Sequence, residues 1–237
     1  MDVEKFGADF FYQANRANLM LLSGYPPKTI DVIFFHDRSY GDFTNLFQMA
    51  ASMYKSGIAR FIATPNTDGA RFGRNIPREA SPGKEWVTRQ LLALHLPIES
   101  IIRPDMPSHH TWEENNAFLQ LARERKWRSA AILTQPHQLL RTMLGMVKAM
   151  DNTGYLMEVY TATPIYTPWY EITRVNQGEE EKMRVENIDD ELIRIPQYQE
   201  KGDLASLEEL SAYLEARERG SIRFTKDLPP DLQELLS

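Results

Sequence analysis

The sequence predicts an α/β protein: a three-layer α/β/α sandwich of Rossmann-like class, built on a mainly parallel five-stranded sheet, with extra N- and C-terminal helices. Three observations predict it. Five short apolar, β-rich runs recur at intervals of roughly 30 residues. Stretches with apolar residues at three- and four-residue spacing fill the gaps between them. Helix-starting and helix-stopping residues sit at the joints. Strands alternating with helices imply βαβ units, hence parallel pairing and right-handed crossovers.

The elements follow in order. Val3, Phe6, Phe10, Ala14, Ala17 and Leu21 make a helical stripe ahead of the first strand. Residues 30–35 (IDVIFF) read as a buried strand, as do 58–64, 98–103, 129–134 and 156–161. Leu46, Phe47, Ala50, Met53 and Tyr54 form one helical stripe, and Leu139, Leu140, Met143, Leu144 and Val147 another. Ser81-Pro82 places a capping residue before a proline at the first helical position, and Gln135-Pro136 is similar. Thr111 with Glu114, and Ser206 with Glu209, have capping-box spacing. Gly57 and Gly154 are helix stops.

Composition divides the chain. Residues 171–219 hold 14 of the 33 acids and 7 of the 27 bases; the remainder is close to neutral. The reading is a Rossmann-like domain over 1–170 and an acidic helical appendage over 171–237 that packs on it. The net charge of −6 argues against a nucleic-acid partner held by bulk electrostatics. The absence of cysteine excludes disulfides, a thiolate nucleophile and cysteine-ligated metals. No apolar run approaches the ~20 residues of a membrane span, and MDVEKFGADFFYQ does not read as a secretory signal. The expectation is a soluble, cytoplasmic protein with no membrane partner.

In an open parallel sheet, ligands bind beyond the carboxyl ends of the strands, where helix N-termini present free N–H groups. The informative residues are therefore those just after each strand. After strand 1 come His36, Asp37 and Arg38; after strand 2, Asn66 and Asp68; after strand 3, Ser108, His109, His110 and Thr111; after strand 4, His137, with Arg141 one turn on. Four of the five histidines fall at this edge. His137 and His110 are candidate acid/base groups, and His109 reads as a solvent neighbour. Loops gather polar residues in any case, so the segregation suggests a site without defining one. Residues 65–80 form a long loop with Arg71, Arg74 and Arg78 against Asp68 and Glu79, which suggests an anionic ligand or else a solvated surface loop. Glu85 near a helix start either complements the helix dipole or binds a ligand hydroxyl, amine or metal. Arg141 is a candidate anion clamp. No dinucleotide fingerprint, phosphate loop or nucleophile elbow is present.

The order of several stretches resembles a family. MAASMYKSGIARFIAT is followed by GKEWVTRQLLALHLPIESI, SHHTWEENNAF, AAILTQPHQLLRTM and ELIRIPQYQEKGDL. This succession resembles the YdcF/SanA/ElyC family of Rossmann-like bacterial proteins, most closely its YdcF branch, over roughly residues 29–215. The resemblance implies that Glu85 matches the family's helix glutamate, that Ser108, His110, Thr111 and Glu113 match its third-loop motif, and that His137 and Arg141 match its fourth. The chain departs where the family has serine and paired glycines after strand 2, since it reads ATPNTDG. It also has Glu114 in place of the motif asparagine, with Asn115 one position late. Nucleotide-type ligands, S-adenosylmethionine among them, are what YdcF-like membership implies.

Three functions compete. The first is a binding protein or transferase that holds a small anionic nucleotide-type molecule, S-adenosylmethionine or a nucleotide, at the strand ends. The second is a hydrolase or phosphotransfer enzyme of phosphorylated metabolites, with His137, His110 and Glu85 as its catalytic set and a divalent metal among His36, Asp37, Glu85 and His110. The third is a non-catalytic interaction module acting through the acidic tail. The first ranks highest because several anion-binding features are present while no complete catalytic constellation is.

Overall fold

In the computed structural model of this chain, residues 7–38, 40–43, 45–68, 82–108, 110–174 and 181–222 are described. The strands are β1 (Ile30–Phe34), β2 (Ala59–Ala63), β3 (Ile101–Ile102), β4 (Ser129–Leu133) and β5 (Glu158–Ala162). They form one sheet in the order β3-β2-β1-β4-β5, and every pairing in it is parallel. Val32, for instance, lies opposite Phe61 on one side and Ala130 on the other.

Both faces of the sheet are covered, which explains why its strands read as nearly continuous apolar runs. Side chains alternate between the faces. Val32, Phe34, Ala130, Ile132 and Val159 belong to one buried core, with α1 (Ala8–Leu22), α4 (Thr111–Arg125) and α5 (Leu139–Thr153). Ile33, Phe35, Ala131, Leu133 and Tyr160 belong to a second core, with α2 (Leu46–Lys55) and α3 (Gly83–Ala93). The architecture is the three-layer α/β/α sandwich.

Joints differ from expectation by small, explicable amounts. Gly57 and Gly154 end their helices with positive φ, a conformation that glycine adopts without a Cβ clash. Ser206 and Glu209 form a reciprocal capping box. Thr111 and Glu114 do not: His110 is the N-cap of α4, and Glu114 is buried instead of reaching back to the helix end. Pro82 sits at the N-cap of α3 rather than one position inside, and Ser81 lies outside the described residues. The expected strand over 98–103 is a 3₁₀ turn at 98–100 followed by the two residues of β3.

The region read as a purely helical appendage is more mixed. It opens with a two-stranded antiparallel ribbon of β6 (Ile172–Arg174) and β7 (Glu181–Met183), then carries α6 (Asn187–Glu200) and α7 (Leu207–Glu218). Strands of three residues are too short to leave a periodic signal. Ile195, Leu204, Leu207, Leu210 and Leu214 are buried in the same core as Val32 and Ile132, so α6 and α7 pack directly on the α1/α4/α5 side of the sandwich. Among the described residues no helix is long and apolar enough to cross a membrane.

Candidate functional site

The order β3-β2-β1-β4-β5 reverses direction between β1 and β4, so a crevice is expected outside their carboxyl ends. His36, Asp37 and Arg38 leave β1 there, and Thr134, Gln135, His137 and Gln138 leave β4. Arg38 is buried and bridges the two strands by donating from Nη2 to Thr134 Oγ1 at 2.6 Å, while its Nε has no hydrogen-bond partner. Gln138 Nε2 donates to Asp42 Oδ2 at 3.2 Å, and Gln135 Nε2 donates to the Asp42 carbonyl at 2.9 Å.

Three hollows open around this point, and Arg141 lines all of them. The smallest, about 70 Å³, lies over the crevice and is lined by polar groups, among them His36, Asp37, Arg38, Asp42, Thr111 and Glu191. The largest, about 590 Å³, is bounded by His110, Thr111, Trp112, Tyr198, Lys201 and Asp203, with Asn115 and Gly145 also against it. A third, about 210 Å³, is mostly apolar and contains His137, Trp169, Leu192 and Ile195. Arg141 itself is held by Glu191 through Nε and through Nη2 at 3.2 Å, and Arg194 Nη1 meets the same carboxylate at 3.0 Å.

The electrostatics follow from burial. His36 is nearly inaccessible; burial, reinforced by the Arg38 cation, lowers its pKa to about 3. It is therefore neutral at pH 7. Its Nε2 lies 2.6 Å from Asn115 Oδ1, an acceptor, so Nε2 carries the proton and Nδ1 does not. Burial lowers the His137 pKa to about 4, and neither of its ring nitrogens has a hydrogen-bond partner. Burial raises the Asp42 carboxyl against the pull of Arg38 and Arg184. Glu114 is pushed well above the ordinary carboxylate range, first by burial and then by the Asp37 carboxylate. Burial also works to raise Glu191, but Arg141 and Arg194 outweigh it and hold it below the usual range.

The residues predicted from the sequence divide into two groups. His36, Asp37, Arg38, Thr111, His110, His137 and Arg141 surround the three hollows, but no single hollow takes all of them. His110 and His137 are in different ones. Glu113 Oε2 lies 3.3 Å from Nδ1 of His110 at the rim. Asn66, Asp68, Ser108 and Glu85 lie apart from the hollows. Lys84 Nζ links Asn66 Oδ1 at 3.0 Å with Asp68 Oδ1 at 2.7 Å, and the Ser108 amide donates to the Asn66 carbonyl at 3.2 Å. The Glu85 side chain is 75% exposed and 3.8 Å from Arg103. The proposed metal set of His36, Asp37, Glu85 and His110 does not assemble: among the described residues no three His, Asp or Glu side chains converge in a metal-holding group. Glu85 stands on α3 near Arg103, whereas His36 is tied to α4 by Asn115. His109, Arg71, Arg74 and Arg78 lie outside the described residues.

Several contributors were not singled out from the sequence. Glu191, Arg194, Tyr198, Lys201 and Asp203 come from the acidic C-terminal segment. Arg184 is fully buried and donates to the carbonyls of Pro168 and Gly41, which fixes the loop after β1 against residues 168–171. Comparison of the chain with protein-family models, curated proteins and solved structures yields no match.

Proposed function

We propose that this protein binds a small nucleotide-type molecule with an anionic end, such as a nucleotide or S-adenosylmethionine, at the carboxyl rim of the sheet. The observation that carries the reading is the junction of the two hollows that share Thr111 and Arg141: a 70 Å³ polar recess over the strand crossover and a 590 Å³ cleft beside it. The recess has the size of about two waters, so it suits one oxyanion group. The cleft falls within the range of small-molecule sites. The buried Arg38, with an unpartnered Nε, and the first turn of α4 favour negative charge there. Membership of the YdcF-like group is part of the same proposal and rests on the order of the sequence motifs.

A phosphotransfer reading, with His137 or His110 as the acid/base group, has less support: the two histidines face separate hollows and Glu85 lies apart from both, so neither histidine has its expected companions beside it. Thermal-shift titration of the full chain with adenosine 5′-monophosphate, adenosine 5′-triphosphate and S-adenosylmethionine tests the binding reading. A ligand at 100 times its Kd adds about 2.7 kcal/mol to stability, so a clear upward shift is expected with at least one of them. No shift with any at millimolar concentration overturns it.

A further inference from the structure

The two joined hollows differ in chemistry. The recess is walled by charged and amide groups, whereas the cleft carries two large aromatic side chains, Trp112 from the first turn of α4 and Tyr198 from the last turn of α6. Trp112 is 42% exposed and presents its ring to the cleft, beside Tyr198. Lys201 Nζ sits 4.6 Å from the Tyr198 ring centroid, so a cation is already stacked on one of the two rings. Asp203 and Leu204 continue the same wall. Residues 198–204 thus supply one side of the cleft, and α4 with α5 supplies the other.

The floor is shaped as well. Asn115 is buried, and its Oδ1 is committed to His36, which leaves its Nδ2 without a partner and turned toward Gly145. A Cβ at residue 145 would lie 3.1 Å from Asn115 Nδ2 and 3.4 Å from Leu204 Cδ2. Glycine therefore keeps the floor of the cleft low where α5 passes beneath it.

We infer that residues 198–204, the end of α6 and the turn after it, are the recognition element of this site: with Trp112 they take a planar aromatic ring, a nucleobase or an aryl group, of a ligand whose anionic end lies toward Arg141. This rests on the binding reading above and narrows its substrate class. Stacking is tolerant of ring identity because every such ring presents a π face, so selection falls on the presence of a ring before its pattern of hydrogen bonds.

Isothermal titration of the full chain with adenosine 5′-monophosphate, phenyl phosphate, ribose 5-phosphate and inorganic phosphate tests it. The two ring-bearing probes are expected to bind about tenfold or more tightly than ribose 5-phosphate. Trp112→Leu and Tyr198→Leu are each expected to lose about tenfold for the ring-bearing probes and to leave ribose 5-phosphate unchanged, while Trp112→Phe and Tyr198→Phe retain affinity. Circular dichroism of each variant separates lost recognition from lost folding, and the phenylalanine variants keep the test valid where a leucine variant does not fold. Equal binding of ribose 5-phosphate and adenosine 5′-monophosphate, or unchanged ring affinity in both leucine variants, overturns the inference and leaves the binding reading intact. Failure of all four probes overturns the inference, and the binding reading falls with it only when adenosine 5′-triphosphate and S-adenosylmethionine also give no thermal shift.

Discussion

Arg141 and the buried Glu191 form a partly buried, two-pronged ion pair that joins α5 to α6 at the point where the three hollows meet. Arg194 shares the same carboxylate. The pair therefore holds the C-terminal segment over the sheet's rim.

Removing one partner of a buried pair leaves an uncompensated charge, which costs about 3–5 kcal/mol. Glu191→Met strands two arginines that are 19% and 18% exposed and can be partly solvated, so it is expected to lie at or below the low end of that range; Arg141→Met leaves Arg194 on the carboxylate and is expected to cost less. The double variant is expected to be more stable than the sum of the single losses implies. Urea unfolding of the four proteins measures the coupling, and strict additivity would refute it.

The histidines give acid sensitivity of predictable sign. His36 and His137 have folded pKa values of about 3 and 4 against 6.5 when unfolded. Depressed folded values mean that the unfolded chain binds more protons below pH 6.5, so stability is full above that pH and falls as pH drops. The slope is up to about 1.4 kcal/mol per pH unit for each histidine. Glu191 acts in the same direction at lower pH, as its depressed folded value implies. His137→Phe is expected to flatten the decline between pH 6.5 and about 4; an unchanged slope in urea titrations across that window would show that His137 is not the group responsible.

Much of the fold was legible because burial on both faces of a parallel sheet leaves unmistakable apolar runs such as IDVIFF. The crossover position then located the rim. The site's second wall was not legible. The acidity of residues 171–219 reads as an appendage packed on the domain or as a partner-binding tail, yet Glu191 and Arg194 are spaced three apart on a helix whose Ile195, one turn after Glu191 on the same face, enters the core. That spacing was the available signal. Asn115 and Gly145 had no such signal, because their contact spans two helices and is set by tertiary packing.

Glu114 carries the opposite sign. Its carboxyl is raised well above the ordinary range by burial, and Oε2 has no partner. A raised folded value gives stability that is present below the unfolded pKa and lost as pH rises. Glu114→Gln mimics the protonated acid and is expected to stabilise the protein at pH 7 while changing little at pH 4. Urea midpoints at the two pH values provide the comparison; a destabilised Gln variant at pH 7 would mean that the carboxylate is charged and satisfied.

At the sheet's edge, Tyr213 and Arg217 of α7 take over the role of a neighbouring strand. The Val159 amide donates to Tyr213 Oη at 2.7 Å, Tyr213 donates onward to the Met157 carbonyl at 2.8 Å, and Arg217 Nη1 donates to the Val159 carbonyl at 2.7 Å. β5 is the last strand in the order, so without α7 these groups would form an open edge. Tyr213→Phe keeps the ring's packing but removes the hydroxyl, which leaves two buried backbone groups without their partner. Each such group costs about 1–3 kcal/mol, and a loss of at least about 2 kcal/mol in urea unfolding is expected. A loss under about 0.5 kcal/mol, the size of an ordinary surface change, would mean that water replaces the hydroxyl and that α7 holds the edge through apolar packing alone.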